Sequence, residues 1–298
     1  MNDLSQVIRR FNRFELKYLI TLKQAEKLKP ALRAYMVPDE NGSSNGRYTL
    51  SSLYYDSPNL RCFRENLDGI KFRRKLRLRR YETGNILTEE TPVFLEIKQR
   101  VDRVTQKRRA VLPYSEALRL CNDRQMPDYA PGDKATIEEI YVFLWQYNMR
   151  PATIVRYDRQ AFVGTDYNPG LRVTLDTSLS FQGHQLHLHE EPSGLPMLAA
   201  NTVIMEIKVN ERIPIWLTEL IAAHNLRLVG FSKYCRSVQA AQRIPAARRH
   251  TFAPECAQDV LATSLTPYST LEQKMRVGKE QKYRKDGGYL WKSLKSGI

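Results

Sequence analysis

Five segments alternate apolar and charged residues with the side-chain period of a β-strand. In "RFELKYLI", Arg13, Glu15 and Lys17 share one face and Phe14, Leu16 and Tyr18 the other. "RRKLRLRRY" sets Lys75, Arg77 and Arg79 against Leu76 and Leu78, and "VFLEIKQR" sets Phe94, Glu96, Lys98 and Arg100 against Leu95, Ile97 and Gln99. "LRVTLDTSL" places Arg172, Thr174 and Asp176 opposite Leu171, Val173 and Leu175; "IMEIKV" places Glu206 and Lys208 opposite Met205 and Ile207. Each segment predicts a strand with one charged and one apolar face.

Helical patterns fall between them. Thr21 with Gln24 reads as a capping box before an apolar stripe of Leu22, Ala25, Leu28 and Leu32, a pattern that Pro30 interrupts. Further helices are expected at 136–148 and over "PIWLTELIAAHN", where Pro214 suits a first turn. Strands outnumber helices and lack regular βαβ alternation, which predicts an α+β fold: an antiparallel β-barrel with helices packed outside. "NGSSNG" (41–46) and "TGN" (83–85) read as turns. Beyond about residue 243 the periodicity fades into a basic, polar stretch. Residues 243–298 are therefore expected to form a partly disordered tail, with one helix around 257–275.

Charge then decides what the strands are for. The 298 residues hold 47 Lys and Arg against 32 Asp and Glu, a formal net charge of +15 that predicts an anionic partner. The four cysteines are far apart and make no CxxC pair, so neither a disulfide framework nor a zinc site is expected. No signal-peptide pattern or apolar run of membrane-spanning length is present, and the reading expects a cytoplasmic protein.

A solvated face is the ordinary account of any one alternating strand. Five strands with carboxylates, ammonium and guanidinium groups on one face, and few Ser, Thr or Gln, predict instead a barrel with charges turned inward. Two like charges about 4 Å apart repel by roughly 4 kcal/mol at an effective dielectric of 20. Such a lumen needs its own carboxylates or a bound polyanion, and Arg grips phosphate oxygens bidentately. The protein is then expected to be stabilised by that ligand. Glu206, and Glu15 beside it in type, are candidate ligands for Mg²⁺ or Mn²⁺, which prefer oxygen; cross-strand ion pairing is the alternative. "HQLHLH" (His184, His187, His189) reads as a polar hairpin ahead of a metal site. There is no Gly-rich phosphate loop or kinase signature, so any nucleotide must be held by side chains.

Eight segments in order, "RFELKY", "YYDSP", "KLRLRRY", "FLEIK", "YDRQAF", "LRVTLDTSL", "IMEIKV" and "GFSKYC", resemble the VTC domain. This is the polyphosphate polymerase domain of the vacuolar transporter chaperone complex, in the triphosphate tunnel metalloenzyme superfamily. The likeness covers roughly residues 10–242. It implies a tunnel-forming barrel that transfers the γ-phosphoryl group of ATP to a growing inorganic polyphosphate chain. It also implies triphosphate binding by Lys17, Arg77, Arg79, Lys98, Arg159 and Arg172, with Lys208 beside them and Arg156 a further candidate at the edge of its motif. Ser232 and Lys233 match the family's phosphate-contacting pair, Lys233 lying nearest the transferred group. Glu206 matches its metal ligand, with Mn²⁺ or Mg²⁺ as cofactor. The family's eukaryotic subunits carry an SPX phosphate sensor and a membrane-spanning region, neither recognisable here. Coupling to translocation would need a membrane-protein partner in trans, with the chain peripheral at the membrane through it. A tripolyphosphatase or nucleoside triphosphatase on the same tunnel, and a non-catalytic polyphosphate-binding module, are the competing readings. Specific nucleic-acid binding is not expected, because it gives no reason for acids to share the basic strand faces.

Overall fold

The computed structural model describes residues 14–243, apart from 44, 83–85, 103, 189–193 and 211. The expected helix at 257–275 and the turn at 83–85 lie outside these residues. In chain order the elements are β1 (Phe14–Thr21), α1 (Leu22–Tyr35), β2 (Met36–Pro38), β3 (Arg47–Asp56) and α2 (Arg61–Leu67). Then come β4 (Phe72–Glu82), β5 (Pro92–Val101), β6 (Val104–Pro113), α3 (Tyr114–Leu118) and α4 (Lys134–Gln146). The chain continues through β7 (Arg150–Gly164), β8 (Arg172–Gln182), β9 (Leu195–Pro196), β10 (Thr202–Val209), α5 (Ile215–Ala223) and α6 (Lys233–Arg243). The ten strands form one antiparallel sheet in the order β1-β10-β8-β7-β3-β4-β5-β6, with β2 on β7 and β9 on β8.

The fold is α+β, as the alternation predicts, but the barrel is not closed by backbone pairing. The sheet ends at β1 and β6, and among the described residues no backbone pairing joins these two strands. Side chains bridge β1 to the strand beside β6: Lys98 Nζ of β5 donates to both oxygens of Glu15 on β1, at 2.7 and 2.9 Å. The sheet therefore curls around a concave face without hydrogen-bonded closure.

Apolar residues of the predicted faces lie on the convex side under helices. Tyr18 and Ile20 of β1, Met205 and Ile207 of β10, and Val173 and Leu175 of β8 pack with Ala25, Leu28 and Leu32 of α1 and Leu217 of α5. Leu76 and Leu78 of β4, Leu95 and Ile97 of β5, and Leu112 of β6 pack with Ile137, Ile140, Phe143 and Leu144 of α4. The Thr21–Gln24 capping box forms, and α1 runs through Pro30 to Tyr35, held by Leu28 and Leu32 buried on either side of the proline. Pro214 sits one residue before α5 as its cap. The His segment lies in the connection between β8 and β9, which pair antiparallel through Ser180–Pro196 and Phe181–Leu195; its described part, residues 184–188, is loop. Among the described residues no helix is long and apolar enough to cross a membrane.

One helix departs from the outside-packing expectation. α6 lies against the concave side of β7 and β8, where the Tyr234 ring packs at a tilt against Tyr54 with centroids 5.1 Å apart, and Lys233 enters the charged cluster. β3 is consequently buried on both faces from Leu50 to Asp56. Asp56 anchors α6. One of its carboxylate oxygens accepts from the backbone N–H of Ser57 (2.7 Å) and Cys62 (2.9 Å). The other accepts from Phe63 N–H (3.0 Å) and from the Tyr234 hydroxyl. A carboxylate that takes up the first N–H groups of α2 and the tyrosine of α6 thus fixes both helices to the end of β3. Asp56→Ala is expected to lower unfolding stability by about 3 kcal/mol, since it leaves these donors buried and unpaired. Urea titration measures the loss; a change below about 1 kcal/mol would contradict this role.

Candidate functional site

Strand register gathers the charged faces. β1 against β10 sets Lys17 opposite Glu206 and Glu15 opposite Lys208; β10 against β8 sets Lys208 opposite Arg172. β7 against β8 sets Arg159 opposite Asp176. Across the curl, β4 against β5 sets Arg77 opposite Glu96 and Lys75 opposite Lys98, which in turn faces Lys107 of β6. Residues directly opposite in a sheet share a face, so all of these point into one concavity.

Two carboxylate nodes organise it. At the first, Lys233 Nζ at the start of α6 donates to Glu206 Oε1 (2.9 Å) and pairs with Asp176 Oδ2 (2.5 Å). Arg159 grips Asp176 in bidentate fashion, at 2.6 and 2.8 Å. Lys17, Arg159 and Lys208 stand 3.5, 3.6 and 3.7 Å from Glu206. At the second, the fully buried Glu96 accepts from Arg77 Nε (2.7 Å) and Lys107 Nζ (2.9 Å), with Arg79 at 3.8 Å. Arg79 also donates to Tyr157 Oη (3.1 Å) and Ser52 Oγ (3.2 Å), and Arg77 to Tyr54 Oη (3.2 Å). These neutral acceptors fix the guanidinium groups without cancelling their charge.

The other expected site residues are placed as follows. Lys98 is held by Glu15, so Glu15 serves an ion pair at the seam of the sheet and not a cluster of carboxylates. Arg172 donates to Tyr48 Oη (2.7 Å) and pairs with Asp39. Ser232 caps α6: its hydroxyl accepts from Cys235 N–H (3.3 Å) and from Lys75 Nζ (2.9 Å). Arg156 is not in the concavity. It lies three residues from Arg159 on an alternating strand, hence on the opposite face, where it chelates Glu82 at 2.8 to 3.1 Å. Arg74 likewise faces outward, over the rings of Phe143 (4.2 Å) and Tyr147 (5.4 Å) of α4. The sequence reading passed over Lys107 and Asp176 as site residues. Lys107 sits in a run of three charged residues where no face can be read, whereas Asp176 lay on a face already recognised as charged.

Electrostatics follow from this crowding. Burial alone would raise the carboxyls of Glu206, Glu96, Glu15 and Asp176, but their cationic neighbours override it and hold all four below the usual range. The lysines show the opposite tension. Burial pushes Lys208 down to about 7, with Glu206 restoring part of the shift; Lys107, whose side chain keeps 41% of its surface exposed, is pushed less far, to about 8, with Glu96 opposing the shift. Burial lowers Lys98 and Lys75 as well, whereas Asp176 and Glu206 outweigh it for Lys233 and raise that ammonium. The concavity thus holds ionised carboxylates and more cations than they can neutralise. Among the described residues no three His, Cys, Asp or Glu assemble into a metal-binding group. The carboxylate oxygen best able to take a hard cation is Glu206 Oε2, whose nearest cationic nitrogens, on Arg159 and Lys208, lie beyond hydrogen-bonding distance.

Solved structures with low similarity include a candidate adenylate cyclase from Bacillus halodurans (12% identity, 74% of this chain and 95% of that one, TM-score 0.44). Another is a candidate adenylyl cyclase from Hippeastrum described as having a dominant triphosphatase activity (13% identity, 78% and 97% covered, TM-score 0.44). A third is the PH1819 protein from Pyrococcus horikoshii (12% identity, 78% and 99% covered, TM-score 0.39). A comparison with curated proteins finds no match. The VTC domain family, by contrast, matches residues 12–242, which hold both carboxylate nodes and α6 up to its last residue. The chain belongs to the VTC domain family.

Proposed function

We propose that this protein is a polyphosphate polymerase that transfers the γ-phosphoryl group of ATP to the end of an inorganic polyphosphate chain. The observation that carries the proposal is the convergence of Lys233, Arg159, Arg77, Arg79 and Lys107 on three buried carboxylates, Glu206, Asp176 and Glu96, in a domain whose family is linked to polyphosphate and triphosphate chemistry. A terminal oxygen of the acceptor chain attacks the γ-phosphorus, the bond to the β-bridging oxygen breaks, and ADP leaves with the electron pair. The protein's share is in-line positioning and charge neutralisation. Arg77, Arg79 and Arg159, already oriented by their partners, would clamp non-bridging oxygens; Lys233 would sit beside the transferred group. Phosphate entering the concavity would pull Lys208 and Lys107 back toward full protonation.

A phosphate acceptor is an anionic nucleophile and needs no base, whereas water is helped by one with a pKa near the working pH. Glu206, Glu96, Glu15 and Asp176 are held far from that, but Lys208, at about 7, is not, so the products of the assay below are what separate transfer from hydrolysis. A divalent cation, Mn²⁺ or Mg²⁺, fits here only as an ion held mainly by phosphate oxygens with Glu206 as a protein ligand, since Mg²⁺ sites commonly use one or two carboxylates plus phosphates. Bound so, it supplies charge neutralisation between phosphates.

Incubation with ATP and Mn²⁺, assayed for long polyphosphate and for free phosphate, tests the reading. Wild type is expected to make chains, and Lys233→Ala and Glu206→Gln to lose activity by about a hundredfold or more. Phosphate without chains would replace the polymerase by a hydrolase, and tight tripolyphosphate binding with neither product would leave a binding module. A pH series offers a second check. Lys107 is charged below about pH 8 and neutral above it. Tripolyphosphate affinity should therefore weaken between pH 7.5 and 9, and Lys107→Arg, which stays charged, should flatten that decline. Identical profiles for the two proteins would contradict the assignment of Lys107 to the phosphate-binding face.

A further inference from the structure

The concave face is not charged throughout. Beyond Arg79 and Arg159 it carries three aromatic rings in mutual contact: Tyr48 of β3, Tyr81 of β4 and Phe94 of β5. Tyr48 and Tyr81 lie 5.4 Å apart between centroids, and Tyr81 meets Phe94 edge to face, also at 5.4 Å. Register puts all three on the inner face, with Tyr48 opposite Arg159, Tyr81 opposite Leu50 and Phe94 opposite Arg79. All three rings are only partly buried. Cations flank the group: the Arg109 guanidinium lies 5.0 Å over the Phe94 ring, and Arg172 donates to Tyr48 Oη.

Tyr48 and Tyr81 pack against the edge of the apolar core, yet all three rings keep part of their surface exposed on the face that also carries Arg79 and Arg159. Val111, opposite Phe94, is also half exposed. Tyr81 is two residues from Arg79 along β4, about 7 Å at the strand rise, so a ligand whose phosphates reach Arg79 can lay a planar group on these rings. Aromatic faces beside guanidinium groups stack bases of any identity, because every base offers a π-face.

We propose that Tyr48, Tyr81 and Phe94 form a stacking platform for the nucleobase of a nucleoside triphosphate, so that this face distinguishes a nucleotide from a bare phosphate chain and does so with little preference among bases. The inference rests on the reading of the concavity as a phosphate-binding face. Tyr81 is the cleanest probe, since it touches both other rings.

Calorimetric titration of wild type, Tyr81→Leu and Tyr81→Trp with ATP, GTP and tripolyphosphate provides the test. Tripolyphosphate has no base, so its binding also reports that each variant is folded. Tyr81→Leu is expected to bind ATP and GTP roughly tenfold more weakly, the scale of one stacking contact, while tripolyphosphate affinity stays within twofold of wild type. Tyr81→Trp should retain nucleotide affinity. An equal loss for all three ligands would assign Tyr81 a packing role and overturn the platform, as would unchanged nucleotide affinity in Tyr81→Leu. Failure of wild type to bind tripolyphosphate would instead overturn the phosphate-binding reading, and the platform with it. Wild type that binds tripolyphosphate while Tyr81→Leu discriminates against nothing would overturn the platform alone.

Discussion

Two buried carboxylates hold this structure to its function. Glu96 and Glu206 each neutralise part of a group of cations that register forces into one concavity. Like charges at such separations repel by several kcal/mol even at an effective dielectric of 20, comparable with the whole stability of a domain. Without the carboxylates the face could not assemble, and with more of them it would have no surplus charge for an anion. The balance reaches into the sheet itself. Its first strand, β1, is tied across to β5, the neighbour of the last strand, through the Glu15–Lys98 pair instead of through backbone hydrogen bonds, so the curl that shapes the concavity depends on the same kind of interaction.

α6 connects this electrostatic frame to the apolar core. Val238 and Tyr234 are buried with Val155, Tyr157 and Phe181, which puts the first residue of the helix, Lys233, between Asp176 and Glu206. Asp56 secures the other side of Tyr234. The segments "YYDSP" and "GFSKYC", distant in sequence, thus act as one device that aims an ammonium group. Ser232 contributes by capping the helix and by accepting from Lys75, a positioning role that its place beside Lys233 in the chain does not reveal.

Much of this was legible in the alternation. β1, β4, β5, β8 and β10 each expose one charged face, and their parity assigned Lys17, Arg77, Arg79, Lys98, Arg172, Glu206 and Lys208 correctly to the inside. The rest escaped for identifiable reasons. β3 is buried on both faces because α6 covers its inner side, so its sequence has no period to read. β6 is an edge strand exposed on both faces from Gln106 to Arg109, and charge at Lys107, Arg108 and Arg109 masks which of them turns inward. Arg156 precedes the "YDR" motif, and its odd separation from Arg159 on an alternating strand puts it on the outer face. Closure could not be foreseen either, because it depends on whether the outer edges of β1 and β6 pair, which the alternation along single strands does not encode.

The central claim is that the empty concavity is strained by uncompensated positive charge that an anion relieves. Thermal melting of wild type and Glu96→Gln, with and without saturating tripolyphosphate at constant ionic strength, tests it most directly. The account predicts that tripolyphosphate raises the melting temperature of wild type, that Glu96→Gln melts lower when empty, and that the ligand raises the variant by more than it raises wild type. A wild-type melting temperature unmoved by the ligand, or a Glu96→Gln protein as stable as wild type when empty, would contradict it.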